Sequence, residues 1–212
     1  MKTYWVAGLT IEVPSQVYSP SEDTFLLLKL LDKQVKNCPH NLQRRRLLEV
    51  GCGSGLVTIY SRRIFSPAII IATDVNPSAI KTTLENIRRN DENINDYQLV
   101  QTDICRCFST STCFNLALIN PPYLPCDNNW ISPRRIRSAL EGGPTGTEVL
   151  NSFLTEINEQ LCVERIAYVY SNLMTKPLNT DYLIQSGYEI QDKINQQFMD
   201  ETLTAIMWTR SS

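Results

Sequence analysis

The chain has 212 residues, 42% of them hydrophobic and 20% charged, and carries a formal net charge of −2. That length suits one domain with a sizeable core, and the composition is that of a globular protein. No run approaches the ~20 apolar residues that span a bilayer, a secretory signal is not expected from Met1-Lys2-Thr3-Tyr4-Trp5 and the residues after it, and the slightly negative charge disfavours holding naked nucleic acid by its phosphates.

Thr10-Ile11-Glu12-Val13 alternates as a short strand. Ser21-Glu22-Asp23-Thr24 leads into the apolar run Phe25 to Leu31, and acidic residues there suit a helix N-terminus. The polar stretch that follows, Asp32 to Asn41, contains His40, the only histidine, and reads as a solvated linker. Mechanisms that need a histidine base, a triad or several histidine metal ligands therefore have little support.

From Leu47 onwards strands and helices alternate. Strands are expected at Leu47–Val50, at Ala68–Ala72 ending on Thr73-Asp74, at Tyr97–Val100 ending on Gln101-Thr102-Asp103, and at Phe114–Ile119 ending on Asn120. Helices are expected at Leu56–Ile64, Pro77–Asn90, with proline in its first turn, and Thr147–Leu161. Then come a strand at Arg165–Ser171, a helix at Asn179–Ser186 stopped by Gly187, and two mutually antiparallel strands near Tyr188–Phe198 and Glu201–Thr209. This order predicts an α/β fold, a mostly parallel sheet with helices on both faces. Strands as continuously apolar as Ile69-Ile70-Ile71 suit a sheet covered on both sides.

Ligands of such sheets bind beyond the carboxyl ends of the strands. Glu49, Asp74, Asp103 and Asn120 all fall at such ends. Gly51-Cys52-Gly53-Ser54-Gly55 is a glycine-rich strand-to-helix turn with G-x-G-x-G spacing, not the dinucleotide G-x-G-x-x-G. A carboxylate at Glu49 would repel a pyrophosphate but attract the amino group of a methionine moiety. Asp74 can accept from ribose hydroxyls and Asp103 from an adenine amine. Any one of these alone is as easily a capping or turn aspartate; their common register with the glycine loop is the stronger signal.

Asn120-Pro121-Pro122-Tyr123 follows the fourth strand of the alternating run. An amide or aromatic amino nitrogen is a poor nucleophile, and acceptors for both its N–H groups concentrate electron density on it and orient it. The Asn120 oxygen and the Pro121 carbonyl can be those acceptors, two prolines hold them still, and Tyr123 offers a flat face to a planar group.

The loop from Glu49 to Gly55 with Asp74 and Asp103 resembles the cofactor site of class I S-adenosylmethionine-dependent methyltransferases. That resemblance implies a Rossmann-like seven-stranded sheet with an antiparallel last strand. It places Glu49 and Gly51, within the Gly53-containing loop, at the methionine part, Asp74 at the ribose, and Asp103 with Ile104 at the adenine. Val17-Tyr18-Ser19-Pro20-Ser21-Glu22-Asp23-Thr24-Phe25, Leu48 to Gly55 and Asn120 to Tyr123 together resemble the short HemK-type branch of archaea and eukaryotes. Its members methylate the glutamine amide in the Gly-Gly-Gln loop of class-one translation release factors. The likeness runs from about Val17 to the end, and implies that Pro20 and Thr24 help enclose the cofactor while Asn120 to Tyr123 hold the glutamine. Gly142-Gly143-Pro144-Thr145-Gly146 resembles the family's glycine-containing loop, with no catalytic role assigned.

A single methyltransferase domain over residues 1–212 is expected, with 1–45 as an N-terminal extension and linker helix region and 46–212 as the core. Bacterial relatives carry a helical substrate-gripping domain, for which no room precedes residue 46. The short branch instead uses a small zinc-binding activator subunit at the sheet edge, so a cytoplasmic heterodimer is expected, with Tyr97–Val100 as the edge strand. The seven cysteines read as reduced thiols. Cys105, Cys107 and Cys113 lack a familiar zinc spacing, and no metal site is expected. The competing readings are a methyltransferase of adenine or guanine amino groups, drawing on Arg44-Arg45-Arg46 and Arg134-Arg135-Arg137, and a protein lysine methyltransferase, for which no base is evident.

Overall fold

Leu47–Val50, Ile70–Ala72 and Leu116–Ile119 are buried residue after residue, which only a sheet sandwiched between helices permits. The computed structural model describes residues 1–35, 45–126 and 137–211. His40, Cys38, Arg44, Arg134 and Arg135 lie outside the described residues.

The chain opens with an antiparallel hairpin of β1 (Lys2–Val6) and β2 (Leu9–Val13), followed by α1 (Glu22–Val35). Then come β3 (Arg46–Val50), α2 (Leu56–Phe65), β4 (Ile69–Asp74), α3 (Pro77–Arg89), β5 (Tyr97–Gln101) and β6 (Thr112–Ile119). The remainder is α4 (Glu148–Gln160), β7 (Leu161–Ser171), α5 (Asp181–Gln185), β8 (Tyr188–Phe198) and β9 (Glu201–Arg210). Seven strands form one sheet in the order β5-β4-β3-β6-β7-β9-β8. The first five in that order run parallel, and β9 runs antiparallel to both β7 and β8. This is the expected class I methyltransferase sheet, with its antiparallel last strand lying inside the sheet.

Two apolar cores cover the two faces. Leu26, Leu30 and Leu31 of α1, Ile59 of α2 and Ile87 of α3 pack with Leu9 and Ile11 of the hairpin on one. Leu150, Phe153, Leu154 and Ile157 of α4 and Leu183 of α5 pack on the other. The helix starts follow local chemistry. Ser21 precedes α1, its N–H donating to Thr24 Oγ1 at 3.4 Å, and the Asn76 side chain caps α3 by accepting from Ser78 N at 2.9 Å with Pro77 in the first turn.

The hairpin is stitched to α3 by two asparagines. Asn86 accepts from Glu12 N (3.0 Å) and donates to Glu12 O (2.9 Å), and Asn90 does the same for Thr10 N and Thr10 O (2.9 Å each). This fixes the start of the segment, residues 14–21, that runs from β2 to α1.

β3 and β6 are neighbours, yet after β3 the chain turns first to β4 and β5 on one side and returns to β6 on the other. Their carboxyl ends are therefore the topological switch point, where a crevice opens.

Candidate active site

A cavity of about 180 Å³ opens at that switch point. Its wall includes Pro20, Thr24, Glu49, Gly51, Gly53, Asp74, Asp103, Ile104, Asn120, Pro121 and Pro122, so twelve of the sequence-derived positions less one meet in a single cleft. The exception is Tyr123. Its half-buried ring packs against the core on the α1 face, and its hydroxyl is held up in pKa first by burial and then by the nearby Asp23 charge, with Asp23 also its hydrogen-bond partner.

The glycine loop is built by backbone bonds. Gly51 N and Cys52 N both donate to Thr73 O, at 2.8 and 2.9 Å, tying the end of β3 to the end of β4. Gly55 takes a left-handed φ of 79°, and a Cβ there would stand 2.9 Å from Thr83, so a larger residue would fail on both counts. Asp74 closes the loop from the side: its Oδ2 accepts from Gly53 N at 2.9 Å and its Oδ1 from Asn76 N at 2.8 Å. Burial raises the Asp74 carboxyl above its ordinary value, while these backbone donors hold it back.

Glu49 is the most enclosed charge of the cleft, 4% exposed and bonded by the Thr58 hydroxyl. Its carboxyl is pushed up to about 8, chiefly by burial, with Thr58 opposing and the Asp74 charge adding. Such a group is best satisfied by a cation beside it. The neighbouring Cys52 thiol is buried and driven well above its ordinary value, so it stays neutral.

Across the cleft, Ile104 adopts φ 49°, a left-handed conformation that a β-branched residue rarely takes. Such strain concentrates at binding sites, and here it sits on the cavity wall. Beside it the exposed Asp103 pairs with Arg106 at 3.1 Å, with side-chain exposures of 52% and 69%. That contact is weak and leaves acceptor capacity for an amine.

At the end of β6, Asn120 Nδ2 donates to Thr24 Oγ1 at 3.3 Å. Thr24 is in turn held by Asp23, which accepts from both its N and its hydroxyl and, through its other oxygen, from the Tyr18 hydroxyl at 3.0 Å. The Asn120 Oδ1 is buried and has no hydrogen-bond partner among the described residues. A buried carbonyl oxygen without a donor is costly and rare, and a donor arriving in the cleft would satisfy it.

Sequence reasoning assigned no role to the glycine loop before α4, and the structure gives it one. Leu124 N donates to Leu140 O, Gly142 N to Leu124 O and Cys126 N to Gly143 O, at 2.9, 2.9 and 3.0 Å. A Cβ on Gly142 would lie 2.4 Å from Pro122 O, and one on Gly146 would lie 2.2 Å from Tyr123 O. The loop thus clamps the segment after Asn120 from outside, and Glu148 at the start of α4 fixes the loop by accepting from Thr145 N at 3.1 Å. The signal was present in the glycine spacing, but its partner lies some twenty positions upstream.

The methyltransferase small domain family model matches residues 12–130. A putative protein N5-glutamine methyltransferase of Methanocaldococcus jannaschii is 30% identical over 187 residues, 88% of this chain and 88% of its own length. Methyltransferase HEMK2 of Homo sapiens is 30% identical over 207 residues, 93% of this chain and 91% of its own. The chain is a HemK-type methyltransferase of this family. Among solved structures, a chain of the E. cuniculi Mtq2–Trm112 complex, described as responsible for methylation of the eRF1 translation termination factor, matches this HemK-type methyltransferase with a TM-score of 0.67 and 21% identity. The match covers 92% of this chain and 99% of that one.

Proposed function

We propose that this enzyme transfers a methyl group from S-adenosylmethionine to the side-chain amide nitrogen of the glutamine in the Gly-Gly-Gln loop of a class-one translation release factor. The reading rests on the buried Asn120 Oδ1, unpartnered among the described residues and held in place through its own Nδ2 by Thr24. Likeness to the N5-glutamine methyltransferases over most of both chains supports the same acceptor.

The cleft suits the donor group by group. Glu49 lies where an ammonium would relieve its buried carboxyl, Asp74 stands at the rim as an acceptor for hydroxyls, and Asp103 and Ile104 form the far wall. When bound, S-adenosylmethionine supplies a methyl carbon activated by its sulfonium. The chain's own residues do the rest. Asn120 Oδ1 accepts one amide N–H and the Pro121 carbonyl the other, which turns the nitrogen lone pair toward the cleft and concentrates charge on it. Pro121 and Pro122 fix these acceptors before substrate arrives, so the gain comes from orientation.

A small zinc-binding activator subunit fits the β5 edge. That strand ends the sheet, and Val75 (62% exposed) and Ile94 (39% exposed) add apolar surface beside it. An unpaired edge flanked by exposed apolar side chains is a place for a partner strand. A release-factor substrate goes with a cytoplasmic location.

The deciding experiment incubates the chain with its activator, labelled cofactor, and either release factor or nucleic acid. Label on release factor that disappears when the loop glutamine is changed to alanine is the expected result. Label confined to nucleic acid would overturn the choice of substrate. A soluble, active monomer purified without any partner would overturn the heterodimer.

A further inference from the structure

Far from the cleft, at the amino ends of the strands, Cys113 of β6 and Cys162 of β7 are paired in register on adjacent parallel strands. Both thiols are free and exposed. Residues paired in register on neighbouring strands place their side chains on the same face, about 5 Å apart across the ladder, which lies within the Cα separation of about 4.4–6.8 Å that a disulfide needs. The Cys113 thiol is raised above its ordinary value, first by Cys162 beside it and less by burial. The other described cysteines differ. Cys52 and Cys105 are buried, and Cys107 and Cys126 lie outside the strands.

We propose that Cys113 and Cys162 form a dithiol site that closes to a cross-strand disulfide by exchange with a small-molecule disulfide of the glutathione disulfide type. One cysteine thiolate attacks a sulfur of glutathione disulfide, breaking its S–S bond and releasing one glutathione thiolate. The second cysteine then attacks the mixed disulfide, and a second glutathione leaves. The two protein thiols lose two protons and two electrons; glutathione disulfide takes up both electrons, and the released thiolates or solvent take the protons. Arg46 pulls the Cys113 thiol toward thiolate, but Cys162, burial and Glu164 act the other way and the thiol stays above its ordinary value.

The bridge would join the starts of β6 and β7 and tie two segments separated by all of α4, so the unfolded chain is the state it constrains. The cleft lies at the opposite ends of these strands, about 20 Å away along β6. The site therefore governs stability and leaves methyl transfer unchanged.

The test equilibrates the full chain in glutathione buffers of graded reduced-to-oxidised ratio, quenches by alkylation and maps thiols by mass spectrometry. The expected product is a Cys113–Cys162 linked peptide pair, lighter by two hydrogens, reversible by dithiothreitol and accompanied by a Tm several degrees higher. Cys162→Ser is expected to yield a glutathione adduct on Cys113 with no rise in Tm. Both thiols remaining fully alkylatable in glutathione disulfide alone, or each carrying its own stable glutathione adduct, would overturn the proposal.

Discussion

Asn120 donates through Nδ2 to Thr24 Oγ1 at 3.3 Å, and this one bond decides which end of its amide faces the cleft as an acceptor. Thr24 sits on α1 and Asn120 on the loop after β6, so an N-terminal element sets the polarity of the acceptor site.

Asn120→Ala removes the acceptor and is expected to lower the transfer rate by about 10²–10³-fold, the size of loss seen when one preorganised polar contact to a reacting group is deleted. Cofactor affinity should stay within a few-fold. Thr24→Val keeps the shape but frees the Asn120 amide to rotate, and about a tenfold loss in kcat is expected. Single-turnover rates paired with cofactor binding by calorimetry check both; equal loss of binding and rate in Asn120→Ala would contradict the assignment.

Asp74→Ala should show the opposite split. It removes the acceptor at the rim and the bonds to Gly53 N and Asn76 N, so cofactor is expected to bind about 10–100-fold more weakly. At saturating cofactor much of the rate should return. Titration of cofactor against initial rate measures this, and a variant with normal affinity but no turnover would count against it.

Glu49 gives the site a pH signature. Its folded-state pKa of about 8 stands above the ordinary 4.5, so the ligand-free fold binds a proton that the unfolded chain has released. Stability from this group is complete below about 4.5 and is lost as pH climbs to about 8. Glu49→Gln should flatten that slope and melt above wild type near pH 8. An ammonium beside Glu49 favours its ionised form, so cofactor binding below about pH 8 should release a proton and tighten as pH rises. Calorimetry in buffers of different ionisation enthalpy reads the released proton directly; identical heats would refute the linkage.

Gly146→Ala tests the clamp. Its φ of 83° and the 2.2 Å approach to Tyr123 O mean that a methyl group must displace the segment after Asn120. Because a small misplacement of an acceptor costs up to about 10²-fold in rate, kcat is expected to fall in that range with cofactor affinity retained. Parallel melting curves separate this from unfolding. A variant that melts normally and turns over like wild type would show that the clamp does not position Asn120.

The strands ending at Glu49, Asp74 and Asn120 were legible because their apolar runs are short, bounded by turn residues and arranged in alternation with helical periods. β1 was not. Lys2–Val6 pairs only with β2, and Trp5 is 78% exposed, so no buried face imprints a pattern on it. The start of β7 was placed four residues late, at Arg165 rather than Leu161, because α4 passes into β7 without a loop and Leu161 and Val163 suit either element. The cleft was readable as far as it consists of strand ends. Tyr123 and the Gly142–Gly146 clamp were not, since their positions depend on which side of a turn a ring falls and on backbone contacts between distant segments.

Residues 14–21 form an arch over one flank of the cleft, contributing Val17, Tyr18 and Pro20 to its wall. One foot is fastened to α3 through the hairpin, the other continues into α1, and the crown is tied by Asn76 Nδ2 to Gln16 O at 3.0 Å. With Pro14 and Pro20 near its two feet, the arch has few shapes to choose from. The ordering of that flank is thus met during folding, and an incoming ligand spends little of its binding free energy on shaping the wall it meets.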